Sequence, residues 1–216
     1  NMNQPRKRYE ITWGNKPLII EFGRIAGQAT SACTVQYGET VVLTTAVMSG
    51  SKRDVSFFPL QVEFRENMYA AGKISGSRFI KREGRPSEQS ILSARIIDRS
   101  IRPLFDQRMR NDIQVVSTVF AYDETSDPDI AGLIGAAAAL MTSPIPWAGP
   151  LAGCSVAAKA GTMYLNPTPD IIATSDLNVF VSGRNMETVM LEADGRQATE
   201  ETTLAAIEFG LKAIEP

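Results

Sequence analysis

Residues 71–105 read AGKISGSRFIKREGRPSEQSILSARIIDRSIRPLF, and the rest of the chain is organised around them. The first half is a loop punctuated by Gly72, Gly76 and Gly84 and loaded with Arg78, Lys81, Arg82 and Arg85. At Pro86, a residue suited to the first turn of a helix, the pattern becomes helical. Ile91, Leu92, Ala94, Ile97 and Ile101 predict a mostly apolar face that runs up to the stop at Pro103. Arg95, Arg99 and Arg102 fall at i, i+4 and i+7 of that helix and so project from one side. Residues 65–110 hold eleven Lys or Arg against five Asp or Glu, a local +6 within a chain of formal net charge −2. Basic charge gathered in one loop and its adjoining helix, inside an otherwise acidic molecule, is the footprint of a polyanion partner.

Strand and helix patterns alternate on either side. Residues 9–13 and 18–25 predict a hairpin about Gly14-Asn15-Lys16-Pro17, and residues 32–36 and 40–47 a second about Tyr37-Gly38-Glu39. Residues 57–64 (FFPLQVEF) alternate as a strand, with Pro59 favouring a sheet edge or a strand end. Residues 113–122 form a further strand pattern, and the small residues of 130–142 suit a helix packed closely on a sheet or another helix. Two more hairpins follow, over 152–159 with 162–165 and over 177–182 with 188–193. Residues 200–214 predict an amphipathic helix with Leu204, Ile207, Leu211 and Ile214 along one face. Residues 1–8 are polar and basic and predict a flexible arm, whereas 9–216 read as one α+β domain of mixed β-sheets and packed helices. The last helix reads as a cut before a continuing chain, that is, as the edge of a fragment.

At 44% hydrophobic residues the chain has ample material for a buried core. No apolar run approaches the roughly 18–20 residues of a membrane span, and a reducing, cytoplasmic setting is the expectation. Cys33 and Cys154 stand far apart in apolar strand settings and read as small core residues rather than a disulfide or a metal pair. Histidine is absent from the sequence. That removes the usual neutral-pH general base, Ser-His-Asp and Cys-His catalysis, and the commonest transition-metal ligand.

The basic loop has two readings. Its glycines let the backbone approach a phosphate, arginine offers a planar donor fork, and Phe79 could stack on a base. The same composition fits a solvated surface loop, with Phe79 as its anchor to the core. On the helix, Asp98 can pair with Arg95 at i−3 or with Arg102 at i+4, which leaves Arg99 and one other arginine uncommitted. Asp123, Glu124, Asp127 and Asp129 lack the spacing of a calcium loop and read as a turn that places negative charge at the next helix N-terminus. Gly132 and Gly135 read as close-packing positions, since no nucleotide fingerprint surrounds them.

Taken with FFPLQVEF, residues 69–105 resemble the polynucleotide phosphorylase family, specifically the first of its two RNase PH-like domains. YGETVVLTTAV (37–47), DIQVVSTVFAYD (112–123), DPDIAGLIGAAAAL (127–140), SPIPWAGPLAG (143–153), YLNPT (164–168) and the final helix extend the resemblance over nearly the whole chain. It implies a polyribonucleotide nucleotidyltransferase that degrades single-stranded RNA 3′→5′, with phosphate as co-substrate and nucleoside diphosphates as product, and that polymerises them in reverse. It further implies a homotrimeric ring around an RNA channel, partner proteins of RNA degradation, KH and OB-fold modules beyond this chain, and Mg²⁺ or Mn²⁺ at the second RNase PH-like domain. Arg78, Phe79, Lys81, Arg82, Arg85, Arg95, Arg99 and Arg102 match positions that the resemblance places along the RNA path. The loop departs from the family pattern at two points: Arg78 reads as an added residue, and Ile80 stands where a second aromatic is usual. Where the family's phosphorolytic domain has Asp-x-Asp-x-Lys, this chain has Asp176-Leu177-Asn178-Val179-Phe180. Neither a metal ligand nor a catalytic residue is therefore expected here, and the domain is expected to guide RNA while the chemistry takes place elsewhere. The alternative is a stand-alone, non-catalytic RNA-binding or scaffold subunit of an exosome-like ring.

Overall fold

The computed structural model describes residues 5–74 and 84–215. Its first hairpin joins β1 (Lys7–Trp13) to β2 (Lys16–Phe22) through Gly14 and Asn15. Both turn residues have positive φ, 56° and 64°, as a two-residue turn that follows the strand twist requires. Strand structure begins inside the arm expected over 1–8, because Lys7 pairs with Phe22 and Arg6 bonds Glu21 at 2.6 Å. β3 (Ser31–Tyr37) and β4 (Thr40–Lys52) form the second hairpin, and β6 (Asn111–Ala121) lies antiparallel to β4. β5 (Leu60–Arg65) closes the six-stranded sheet at its edge, parallel to β6, in the order β1-β2-β3-β4-β6-β5. Pro59 lies just ahead of β5, which explains why the strand is shorter than the alternation over 57–64: proline has no N–H for the ladder.

A four-stranded antiparallel sheet, ordered β10-β9-β7-β8, comes from β7 (Ala152–Lys159), β8 (Thr162–Leu165), β9 (Leu177–Arg184) and β10 (Glu187–Gly195). Among the described residues four α-helices complete the α+β fold: α1 (Glu88–Ile101), α2 (Pro128–Met141), α3 (Pro169–Thr174) and α4 (Glu200–Ile214). α3 is absent from the sequence expectation, since six residues are too few to display a helical period. α4 packs Ile207, Leu211 and Ile214 of the expected face onto the second core, and only Leu204 departs from it. Ala206, Gly210 and Leu211 are buried while Leu204 is 58% exposed, because the small residues let the helix backbone settle onto Val181 and Cys154.

α2 lies between the two sheets. A Cβ on Gly135 would stand 2.4 Å from Thr44 Oγ1 of β4, and one on Gly132 2.9 Å from the Phe64 ring. On the other side, Leu133 reaches Gly153 of β7 so closely that a Cβ there would lie 2.6 Å from its Cδ2. The small residues of this helix therefore serve the close packing expected of them. Trp13 sits between the two apolar cores, and its Nε1 donates to the Ala213 carbonyl of α4 at 2.7 Å. Cys33 and Cys154 are both free and buried, and burial pushes each thiol up to about 12.

Gly135→Ala should destabilise the protein by about 1–3 kcal/mol, because the added methyl meets β4 with no room to relax. Urea unfolding followed by circular dichroism measures this; an unchanged midpoint would show that α2 can shift away from the sheet.

Candidate nucleic-acid interface

The arginine-bearing helix α1 is fastened by serines. Ser87 caps it, its Oγ accepting from Ser90 N at 3.0 Å and donating to Glu66 Oε2 at 2.6 Å. Ser90 donates to the Phe64 carbonyl of β5, and Ser93 and Ser100 bond back to the Gln89 and Ile96 carbonyls. Ser182 Oγ of β9 donates to Ser100 Oγ at 2.9 Å, and both side chains are fully buried, so α1 is pinned to the second sheet. The buried stripe is Ser90, Ser93, Ile97, Ser100 and Ile101. Ile91 and Leu92, expected on the apolar face, are 51% and 49% exposed. At 100° per residue they fall outside the stripe centred on Ile97, and hydrogen-bonded serines take the inward places.

The three arginines of this segment stand in three different states. Arg102 is engaged internally: Nε and Nη2 grip both oxygens of Asp98 at 2.9 and 2.7 Å. Its guanidinium also donates to the Leu60 and Phe58 carbonyls and lies over the Phe58 ring, 5.7 Å from the centroid. That geometry ties the end of α1 to the strand leading into β5 and spends most of the fork's donors internally, although the side chain is 34% exposed, and the RNA contact at Arg102 stays an expectation. Arg99 pairs loosely with Glu192 of β10, at 3.6 Å. Arg95, one turn earlier, is exposed and has no bonded partner among the described residues. Arg85 is likewise exposed just ahead of α1. Arg78, Phe79, Lys81 and Arg82 lie outside the described residues.

Arg85 also borders a cavity of about 900 Å³ between the N-terminal ends of α1 and α2, whose other walls include Phe64, Glu66, Gln89, Tyr122 and Asp129. Asp127 caps α2 through Asp129 N at 2.9 Å, and Asp129 itself is only 6% exposed. Burial, with the neighbouring Asp127 charge, pushes the Asp129 carboxyl up to about 8 against a hydrogen bond from Ser93. This buried acid was read from sequence only as helix-terminal charge. Asp123 is the opposite case: burial raises it, but donors from Glu39, Thr125 and Ser126 outweigh that and hold it below the usual carboxylate range. With its oxygens committed to that turn, Asp123 is a structural group, as the turn reading expects.

The segment 176–180 is spent on the fold as well. Asn178 Oδ1 accepts from Ser155 Oγ at 3.0 Å, and Ser155 N donates to Asn166 Oδ1 at 3.1 Å. Asn166 Nδ2 then donates to the Tyr37 hydroxyl, which donates to the Trp13 carbonyl. Asp176 Oδ2 accepts from Ala160 N across the β7–β8 turn, and Phe180 packs against the core of the first sheet. These residues provide neither paired carboxylates nor a cation, so they do not fit Mg²⁺ or Mn²⁺. Among the described residues no cluster of three or more acids or cysteines is placed to hold a metal ion.

Comparison with known proteins accounts for this layout. Residues 14–146 match the 3′ exoribonuclease family, domain 1, and residues 149–213 match domain 2 of the same family. The chain belongs to the 3′ exoribonuclease family. The domain 1 match takes in β2 to β6 of the six-stranded sheet with α1 and α2, the domain 2 match the four-stranded sheet with α4, and the division falls in the connection from α2 to β7. A polyribonucleotide nucleotidyltransferase of Shouchella clausii is 45% identical over 214 residues, covering 99% of this chain and 30% of the relative. Those of Thermus thermophilus and Gluconacetobacter diazotrophicus are 46% and 48% identical, covering 97% and 96% of this chain. The chain thus spans about 30% of the length of these relatives. Rice Rrp46 shares the RNase PH-like fold, with a TM-score of 0.70 at 15% identity over 99% of this chain and 91% of its own.

The raised Asp129 carboxyl sets a pH dependence. Because its folded pKa of about 8 exceeds the ordinary 3.8, the folded state keeps a proton that the unfolded chain has already lost. The group's contribution is therefore full below about pH 4 and falls away as the pH rises through the folded value. Asp129→Asn should lose less stability than the parent between pH 5 and 8; parallel urea-midpoint curves for the two proteins would refute the assignment.

Proposed function

We propose that residues 9–216 act as one RNase PH-like unit, the RNA-guiding part of a polyribonucleotide nucleotidyltransferase. The parent enzyme shortens single-stranded RNA from its 3′ end by phosphorolysis, with inorganic phosphate as co-substrate and Mg²⁺ or Mn²⁺ bound outside this chain. Support for the enzyme class comes from relatives of that name at 45–48% identity across nearly the whole chain.

The observation that carries the guiding role is a division of labour within the chain. Arg85, Arg95 and Arg99 face solvent along α1 and its approach, whereas Asn178, Asp176 and Phe180 are engaged in internal bonding and packing. Exposed guanidinium groups one turn apart suit successive phosphates of a single strand, each of which gains from counterion release. Phosphoryl transfer needs fixed positive charge or a metal at the reacting phosphate, and the 176–180 segment has neither to offer. The homotrimeric ring belongs to the same proposal: in it, the α1 surface of each protomer would line the RNA path.

Replacing Arg85 and Arg95 together with glutamine should weaken binding of an unstructured RNA and lower the log–log salt slope by about 1.4, at roughly 0.7 per single-strand phosphate contact. An unchanged slope would remove α1 from the interface. Incubated with 3′-labelled RNA, phosphate and Mg²⁺, the chain alone should release no nucleoside diphosphate. Phosphate-dependent release that survives repurification would place the chemistry here instead.

A further inference from the structure

The loose pair between α1 and β10 has a geometry of its own. Arg99 Nη1 stands 3.6 Å from Glu192 Oε2, and the two side chains are 53% and 56% exposed. A charge-assisted hydrogen bond would bring these atoms to about 2.7–2.9 Å, as Arg102 and Asp98 achieve one turn away. The Arg99–Glu192 contact is therefore an attraction without a formed bond, in a setting where ion pairs are weak and exchangeable. The backbone that carries Glu192 is nonetheless held in place relative to α1. Glu192 lies opposite Phe180 in the β9–β10 ladder, and the buried Ser182–Ser100 bond holds α1 against that same sheet.

We infer that Glu192 competes with RNA for Arg99, an internal stand-in for a phosphate that sets how tightly α1 holds the strand. The inference rests on the RNA-guiding reading above. A carboxylate and a phosphate offer a guanidinium the same pair of anionic oxygens, so they cannot both occupy the fork. RNA brings the additional gain of counterion release, which an exposed carboxylate on the same chain lacks, and so it displaces Glu192 at the cost of the resting pair. Arg95 carries no such resting partner among the described residues, so its engagement displaces no described group. The two exposed arginines of α1 thus differ in availability: one is open, and the other is released only against its acid.

Fluorescence anisotropy with a labelled, unstructured RNA tests this on four proteins: the parent chain, Glu192→Gln, Arg99→Gln and the double variant. Glu192→Gln should tighten binding about two- to five-fold at low salt, the range that loss of a weak exposed pair corresponds to. The tightening should vanish when Arg99 is already glutamine. Equal tightening in both backgrounds would mean that Glu192 acts only through its general negative field, and no tightening would mean that the pair is idle; either result overturns the inference while leaving RNA binding in place. Failure of the parent chain to bind RNA at all would overturn the guiding reading and this inference with it.

Discussion

Thr44 and Gly135 meet across a gap that admits no methyl group, and everything else in the molecule is arranged on either side of that contact. Because α2 carries so little side-chain volume where it faces β4, its backbone sinks onto the first sheet while Leu133 reaches across to β7 of the second. A helix of large residues would hold the two sheets further apart, and the bonds that cross between them would not reach. Ser182 to Ser100 and Trp13 to Ala213 are both of this kind, with lengths of 2.9 and 2.7 Å. The position of α1, and with it the direction in which its arginines point, follows from a helix that carries no basic side chain of its own.

Much of this was legible in the sequence, and for identifiable reasons. Gly14-Asn15 marks its turn because few residues accept two successive positive φ values, and Pro59 marks a strand boundary because it lacks a donor. AGLIGAAAAL announces close packing through composition alone. The inward face of α1 was harder to see, since hydrophobicity points to Ile91 and Leu92 while the structure buries Ser90, Ser93 and Ser100. Serines can take core places only when each has a partner, and those partners are set by distant strands that no local pattern reveals. The same limit applies to the arginines. Spacing puts Arg95, Arg99 and Arg102 on one side, but their division into open, loosely paired and locked depends on where Glu192 and the carbonyls of Phe58 and Leu60 come to lie. Arg78, Phe79, Lys81 and Arg82, read from the loop, lie outside the described residues and remain expectations.

The segment 176–180 serves the fold through internal bonding and packing. Asn178 is isosteric with aspartate but neutral, so it accepts from Ser155 without burying a charge, and it continues a hydrogen-bonded path to Asn166 and Tyr37. A carboxylate there would need a compensating cation, and the phenyl ring of Phe180 supplies none.

The indole of Trp13 donates to a carbonyl two hundred residues further along the chain. During synthesis the first hairpin leaves the ribosome early, yet this donor has no acceptor until the final turn of α4 has been made. The bond between β1 and α4 therefore forms only after the 200 residues of separation have been made, and until then Tyr9 and Ile11 stand exposed on the edge strand β1. Contacts between residues so distant in sequence carry a loop-closure cost that local hairpin contacts do not. The same bond also means that loosening the last turn of α4 takes away the acceptor that holds the Trp13 ring, so that damage at one place is felt at the other.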